Sequence, residues 1–492
     1  MIFDRAKLQR IWWLIFAAVI AHLLICRLPL INQEWAFADA ARYFETHRQD
    51  FLERYFSVQA NTLGVPFLAF LIHKVIASLD IGLIPRLLAV SGFIFTGLAL
   101  VRLNLVAGSK IHSNILLAAV FLNPLIWTFG GRGTADFLPA AVALFSLSLF
   151  FRREKNLAEL IVASLTFGIA VTLKYHAVAL LPIVWAAAFA RTDLTFKRAL
   201  LQSVIATGLI LLLPIGYLLA VKQHFGFWLA PPAFQNMHRV DFSIASLSSN
   251  FIAYMGYLAL LGLPLSGLCV GQYLRNFPSA ARLAIAALGL FLAGYLFVVP
   301  SAEMNFGPLD KYLGARFVGG AFTVCAGLFL VALWKGVAFY RDDRCAHRFM
   351  LCCAVGVLIF IGCLSATRPA QRYLLFVVPL FYLFILPGFK GRPRTLAVTF
   401  ALYTLLNIYV ALNQYATGSA AIEITEKIAQ SGLLGATNPG VIVGHTGNYF
   451  PVDTTANKKY IVVAGLSPKR ILSSESLPVP LIHKAFSLVP IE

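Results

Sequence analysis

Along most of its length the chain keeps returning to uninterrupted apolar runs about as long as a bilayer is thick. They fall at 11–30, 86–106, 113–129, 134–151, 157–173, 175–190, 200–221, 252–271, 282–300, 317–339, 349–366, 371–388 and 395–412. A helix needs about 20 apolar residues to cross the hydrocarbon of a membrane, so several runs are short for a crossing. Of the 492 residues 59% are hydrophobic and only 12% charged, roughly half the charge of an ordinary soluble domain. Disorder, a coiled coil and a water-soluble enzyme are excluded. Long continuous runs, instead of short alternating segments, read as a helical bundle and not a β-barrel.

The formal charge is +19, from 40 Lys and Arg against 21 Asp and Glu. In a soluble protein this would suggest nucleic acid; here topology accounts for it first. Arg5, Lys7 and Arg10 precede the first run and place the N-terminus inside. No small-residue cleavage pattern follows that run, so it reads as a retained span. The apolar stretch 62–79 carries His73 and Lys74, and counting it as a crossing would put Arg152, Arg153 and Lys155 outside. It is therefore expected to be an interfacial helix. About thirteen spans remain. The inside loops then hold Arg102/Lys110, Arg152/Arg153/Lys155, Arg191/Lys197/Arg198, Arg275/Arg282, Arg341/Arg344/Arg348 and Lys390/Arg392/Arg394.

An odd number of spans puts a large loop, 31–85, and the last stretch, 413–492, on the exterior. The expected organisation is an all-α multi-pass membrane domain over 1–412 followed by a small exterior α/β segment over 413–492. In that segment the pattern is helical near 420–430, and Val441–Gly444 and Tyr460–Ala464 read as short buried strands. The seven cysteines show no disulfide framework: six fall in spans and Cys345 in an inside loop.

Polar residues gather on the exterior side in five clusters. The first is Asn32-Gln33-Glu34 followed by Asp39 and Arg42. Glu34 and Asp39 are five apart and do not share one helix face, so a paired-carboxylate device is not established; one carboxylate suffices for base catalysis. The bland reading is an amphipathic juxtamembrane helix capped by Asp39 or Asn32. The second cluster is Asn123-Pro124, then Gly130-Gly131-Arg132-Gly133-Thr134-Ala135-Asp136. There glycines permit close approach of a ligand and Arg132 suits a phosphate; the plain alternative is a helix-helix turn with Thr134 as cap. The third is Lys174-Tyr175-His176 between two short spans, where buried cations are expensive unless a polar cavity or the interface receives them. The fourth, Arg368-Pro369-Ala370-Gln371-Arg372-Tyr373, presents two guanidinium forks that match a phosphate or diphosphate. Glu303, Asp310, Lys311 and Arg316 form the fifth. Basic residues on the outer face run against the positive-inside bias, and an anionic ligand at the outer leaflet would account for them.

No phosphate-binding Gly-x-x-x-x-Gly-Lys-Ser/Thr loop, no His-Glu-x-x-His, no Cys/His metal spacing and no Asp-x-Asp motif occurs. The two halves show no convincing repeat, which weakens transporter folds built on internal duplication.

Together the clusters resemble the GT-C superfamily of integral-membrane glycosyltransferases, and within it the mannosyltransferases that include the catalytic subunit of the first mannosyl transfer in GPI-anchor synthesis. Three words carry the likeness: Phe37-Ala38-Asp39-Ala40-Ala41-Arg42-Tyr43; Asn123-Pro124-Leu125 followed by Arg132-Gly133-Thr134-Ala135; and Gly168-Ile169-Ala170-Val171-Thr172-Leu173-Lys174-Tyr175. Gln371-Arg372-Tyr373-Leu374 with Pro379 is similar to a late helix start in several GT-C groups, including the lipid A aminoarabinose transferases. So is the order of a large first exterior loop, an interfacial helix near Pro66 and a second span opening on Arg86-Leu87. The mannosyltransferase pattern has an Asp-x-Asp-like pair upstream of the Phe-x-Asp-Ala-Ala word; here Asn32-Gln33-Glu34 stands, one residue out of step.

The resemblance implies transfer of a sugar, mannose or a related pentose or hexose, from a polyprenyl-phosphate carrier to a lipid or glycan acceptor. The reaction would be inverting and take place on the extracytoplasmic face of a bacterial inner membrane. Glu34 or Asp39 would be the catalytic base. Arg368, Arg372, Arg132 and Lys174 would hold the donor phosphate, with His176, Tyr373, Asp136 and Glu303 as further candidates. Metal dependence stays open, because a carboxylate and a phosphate together can hold Mg²⁺ or Mn²⁺ without a motif. Three other readings stand beside it: a lipid-linked saccharide transporter or flippase, an O-antigen ligase or polymerase, and a structural subunit lacking its catalytic carboxylate. A transporter needs access from both faces, whereas these polar residues gather on one.

Overall fold

The structure is a computed structural model that describes residues 5–27, 34–58, 62–151, 157–190, 195–232, 243–274, 280–300, 313–367, 369–389, 392–430, 441–443, 460–464, 473–479 and 482–490. Its contacts divide into two units: one of Met1–Ala18, Ser91–Trp127 and Asp136–Thr404, the other of Val19–Val90, Thr128–Ala135 and Leu405–Glu492.

Nearly all of the described chain is helical. The first helices are α1 (Arg5–Ile25), α2 (Glu34–Thr46), α3 (Gln49–Val58), α4 (Gly64–Val75), α5 (Ile84–Val106), α6 (Ser113–Phe121), α7 (Pro124–Gly130), α8 (Phe137–Phe150), α9 (Leu157–Leu173), α10 (Leu181–Phe189) and α11 (Phe196–Phe225). The later ones are Ile244–Leu261, Leu265–Leu274, Ala280–Phe297, Ala315–Phe339, Arg344–Ser365, Val378–Ile385 and Pro393–Gln430. Among the described residues six are by themselves long and apolar enough to cross a membrane, and the bent pair α6–α7 makes seven. The remaining expected runs hold shorter apolar helices, so helix length alone supports six or seven of the thirteen expected crossings. The twelve residues of α4 fit the interfacial reading of that stretch.

Local chemistry sets the ends. The Thr195 hydroxyl accepts the Arg198 amide at the start of α11, and Gly226 closes it at φ 76°. Ser243 and Ser246 form a capping box, and Asp343 accepts the amides of Cys345 and Ala346. Two expected spans are broken. The run 113–129 bends by 68° between α6 and α7, because Pro124 has no amide hydrogen to continue the ladder. The run 252–271 is two helices, Ile244–Leu261 and Leu265–Leu274, with Pro264 between them and a start eight residues earlier than expected.

In the first unit the helices pack through glycines. A Cβ at Gly319 would run into the Val298 carbonyl oxygen and lie 3.0 Å from that of Gly294, and at Gly336 it would lie 2.6 Å from the Phe384 Cβ. The backbones of Ala280–Phe297 and Ala315–Phe339 thus approach closely, as small residues allow in membranes. At the bend, the Asn123 side-chain amide donates to the Leu261 carbonyl at 2.9 Å and the Tyr382 hydroxyl at 3.0 Å. Tyr403 joins the cluster by donating to Leu261 at 3.0 Å. Asn123, expected at an outer hairpin end, is fully buried, because the proline bend leaves carbonyls that only an internal donor can reach. Outward, α11 exposes Leu201, Val204, Leu212, Ile215 and Leu219, and Ala280–Phe297 exposes Ile285, Leu288 and Leu296. Such faces require an apolar solvent. The chain is an integral membrane protein.

In the second unit the strands Val441–Val443 (β1), Tyr460–Ala464 (β2), Ser473–Val479 (β3) and Ile482–Pro490 (β4) form one sheet in the order β1-β2-β4-β3. β1 and β2 pair in parallel, and β4 runs antiparallel to both neighbours, with Tyr460 opposite Pro490 and Ser473 opposite Leu488. β1 and β2 fall where the apolar pattern expected strands; β3 and β4 were not anticipated. Pro393–Gln430 runs unbroken through the expected 412/413 boundary. Near α2, Ala41, Ala69, Ile81 and Ile84 make a small core.

The glycine contacts yield a test. Gly319→Val is expected to lower stability by about 1–3 kcal/mol through overpacking, while Gly208→Ala, with nothing within 4 Å, leaves it unchanged or slightly raised. Thermal unfolding of the detergent-solubilised protein reads both; equal melting temperatures would remove the close-approach argument.

Candidate functional site

α2 buries most of its surface. Ala36, Phe37, Ala38, Ala40, Ala41 and Tyr43 are buried, and so are Glu34 and Asp39, at 2% and 3% exposure. Carboxylates are almost never this buried without a partner, and Glu34 has three donors. The Arg86 guanidinium grips it two-pronged, Nε to Oε1 and Nη2 to Oε2, both at 2.8 Å. The Gly133 amide donates to Oε1 at 2.7 Å. Arg86 Nη1 also donates to the Cys26 carbonyl at 3.0 Å.

Position 133 is crowded: an added Cβ would sit 3.2 Å from the Pro85 Cβ and 3.3 Å from the Arg86 backbone nitrogen, so these neighbours would have to give by a few tenths of an ångström. Burial pushes the Glu34 carboxyl up, but the Arg86 charge and hydrogen bonds, the Arg132 charge and the Gly133 amide outweigh it and hold the group below the usual carboxylate range. Glu34 is therefore ionised and saturated with donors. Asp39 lies within the helix, not at its cap, and its Oδ1 accepts from Arg42 Nη1 at 3.2 Å, one turn along. The Arg132 guanidinium sits over the Phe129 ring at 5.2 Å.

The other unit brings together residues drawn from three of the sequence clusters. Asp136 is the N-cap residue of α8, yet its carboxylate makes no cap hydrogen bond. It accepts from Lys174 Nζ instead and faces Arg372 Nε at 3.7 Å. Lys174 is fully buried; it stands between α9 and the 3₁₀ turn Tyr175–Leu180, outside both. Burial and the Arg372 charge press its ammonium down to about 8, against the opposing pull of Asp136.

The His176 ring stacks on Tyr373 at 4.0 Å between centroids and on Tyr175 at 4.3 Å. Lys174 Nζ sits over the Tyr373 ring at 4.8 Å. The buried His176 Nδ1 has no hydrogen-bond partner among the described residues. Arg372 and Tyr373 open a second 3₁₀ turn, Gln371–Phe376, tied down by Tyr257, whose hydroxyl donates to Gln371 Oε1 at 2.7 Å.

Of the expected site residues, Asp136, Lys174, His176, Arg372 and Tyr373 thus form one constellation, and Glu34 and Arg132 meet around the 131–133 turn with Arg86. Arg368 and Glu303 lie outside the described residues. Arg86 and the Gly133 amide were missed as site groups. The available signal was an arginine at the very start of an apolar run, where a buried cation needs a carboxylate. Among the described residues no three His, Cys, Asp or Glu side chains gather as a metal site. Glu34, Asp39 and Asp136 each accept from Arg or Lys, a donor set already matched by protein cations.

No protein-family model and no curated protein matches the chain. Solved structures do. ArnT from Cupriavidus metallidurans in the apo state aligns at 14% identity and TM-score 0.45, covering 89% of this chain and 83% of that one. ArnT of the same organism bound to undecaprenyl phosphate aligns at 14% and 0.44, covering 96% and 97%. The archaeal oligosaccharyltransferase AglB from Archaeoglobus fulgidus, in complex with an inhibitory peptide and a dolichol-phosphate, aligns at 13% and 0.33, covering 82% of this chain and 55% of AglB. At these identities and scores the likeness carries no argument about activity.

The Glu34–Arg86 pair makes its own forecast. Arg86→Gln should cost about 3–5 kcal/mol, because it strands a buried carboxylate, while the double change Glu34→Gln/Arg86→Gln recovers part of the loss. Thermal unfolding of the three proteins tests this; additive losses would contradict a direct pairing.

Proposed function

We propose that the chain is a membrane glycosyltransferase that moves a sugar from a polyprenyl-phosphate carrier to an acceptor hydroxyl. The reading places the reaction on the extracytoplasmic face of a bacterial inner membrane, across a thirteen-span topology. The observation that carries it is the convergence of a buried lysine and an arginine on the single Asp136 carboxylate, beside the His176–Tyr373 stack. Burial first, and the Arg372 charge after it, depress Lys174, and an arriving phosphate would offset both by bringing a negative charge to the ammonium.

In this reading the acceptor oxygen attacks the anomeric carbon with inversion and gives its proton to a carboxylate. The bond from that carbon to the phosphate oxygen breaks, and the electron pair leaves on the phosphate. Lys174 and Arg372, with Arg132 and Arg368, answer the charge gathering there. Of the two base candidates Asp39 is preferred. Glu34 already accepts three hydrogen bonds and is held ionised by Arg86, so taking a proton would cost it a buried ion pair. Glu34 then acts as the anchor of α2. Sugar and acceptor are to be found by supplying labelled mannose, glucose, arabinose and aminoarabinose polyprenyl phosphates to membranes.

Asp39→Asn is expected to lower kcat by at least about 100-fold, in the range of general-base losses, with the melting temperature retained; transfer at the parent rate sinks the base assignment. Donor affinity should fall as pH rises through about 8, where Lys174 loses its proton, and Lys174→Arg should remove that dependence. A donor KM flat from pH 7 to 9.5 in the parent protein speaks against the phosphate role. Arg372→Ala should raise KM for the donor and leave that for the acceptor unchanged.

A further inference from the structure

Within the unit that holds Lys174 and Arg372, the apolar stretch beginning at Gln371 ends at Phe389, and there a second polar feature opens. It is a cavity of about 240 Å³ lined by Lys110, His112, Ile115, Phe389, Arg392 and Leu396 among others. At about 1.5–2 Å per residue the helical turns from 371 to 389 span roughly 30 Å, so this cavity belongs to the face that the basic loops assign to the inside. The proposed transfer reaction does not use it.

Its chemistry is that of an anion site. Lys110 and Arg392 contribute two cations, and no carboxylate is among the lining residues described. Lys110 is positioned over the Phe339 and Tyr340 rings, at 5.3 and 5.6 Å. Two helices start at the cavity wall, α6 just after His112 and Pro393–Gln430 just after Arg392, and the free amides of their first turns, which Pro393 lacks, add positive partial charge. The His112 side chain makes no cap hydrogen bond to α6. The nearby carboxylate of Asp343, close to Gly108, spends Oδ1 on the amides of Cys345 and Ala346.

The rest of the wall is apolar, from Ile115, Leu386, Phe389 and Leu396. A ligand with a phosphate at one end and hydrocarbon at the other fits that sequence of surfaces. We infer that the cavity at Lys110, His112 and Arg392 binds the phosphate of an anionic phospholipid of the inner leaflet, whose acyl chains leave over the apolar wall at Ile115, Phe389 and Leu396. A basic pocket between helices on the cytoplasmic side is a setting in which such headgroups bind.

The test uses the full chain, delipidated in detergent. Dioctanoyl phosphatidylglycerol, dioctanoyl phosphatidylcholine and sodium phosphate are titrated in separate arms, with the melting temperature and amide exchange over 107–116 and 389–397 as readouts. Phosphatidylglycerol is expected to protect both segments saturably. Lys110→Gln/Arg392→Gln should bind it roughly thirty-fold more weakly, the loss for two surface-type cations, and Lys110→Arg/Arg392→Lys about as tightly as the parent. Equal protection by phosphatidylcholine, or unchanged binding by the glutamine variant, overturns the proposal. Saturation by phosphate alone at the same concentration overturns the lipid and makes the ligand a water-soluble phosphate. Should the glutamine variant not fold, the exchange data on the parent decide, and absence of protection in the two segments overturns the site.

Discussion

Withdrawing a carboxylate from water costs several kcal/mol unless a cation meets it, and among the described residues three are withdrawn: Glu34, Asp39 and Asp136. Asp39 finds its cation one turn away in Arg42. The other two depend on tertiary structure. Arg86 is 52 residues from Glu34, and Lys174 is 38 from Asp136. Each of these pairs forms only when particular elements are already in place: α2 beside the start of α5 and the Gly133 turn in one unit, the head of α8 beside the foot of α9 in the other. The ion pairs are thereby registration devices as well as charges, and the amide of Gly133, packed closely against Pro85 and Arg86, joins the first of them.

The same demand extends to uncharged groups. The Asn123 amide, the Tyr382 and Tyr403 hydroxyls and the Leu261 carbonyl form a closed polar knot among apolar helices. It sits where α6 gives way to α7 and where Ile244–Leu261 ends before Pro264. Backbone carbonyls released by a proline break have no water to turn to inside a bilayer, and one asparagine serves the Leu261 carbonyl while its oxygen takes the Leu125 amide at 3.0 Å. Elsewhere, close backbone approach through Gly319 and Gly336 replaces the hydrophobic driving force that lipid does not supply.

How much of this was legible in the sequence differs by residue. The apolar runs announced the helices, and the His73-Lys74 pair kept α4 out of the count of crossings. Val441–Val443 and Tyr460–Ala464 carried enough β-branched residues to read as strands, whereas Ser473–Val479, rich in serine with a proline, gave no such signal and pairs with β4. Pro264 marked a helix break that hydrophobicity averaged over a window conceals. Among the site residues, Lys174, His176, Arg372, Tyr373 and Asp136 were identifiable one by one, because polar groups at the ends of apolar runs need a reason. That they meet was not, since pairing across 38 residues or more leaves no local periodicity. Arg86 was quoted only as the opening of a span; its role comes from Glu34.

The two 3₁₀ turns, Tyr175–Leu180 and Gln371–Phe376, bear on a different matter, the thickness of the membrane. Each heads one of the short apolar stretches, Tyr175–Phe189 and the run from Gln371 to Phe389. A 3₁₀ turn rises about 2.0 Å per residue against 1.5 Å for an α-helix, so six residues wound this way reach about 3 Å further. The tighter winding stretches segments that would otherwise stop short of the far headgroups, and it lengthens them at the end where Lys174 and Arg372 stand. Hydrophobic mismatch costs fractions of a kcal/mol for each ångström. A thinner bilayer would therefore favour relaxing these turns to α-helix, drawing the two cations inward along their helix axes.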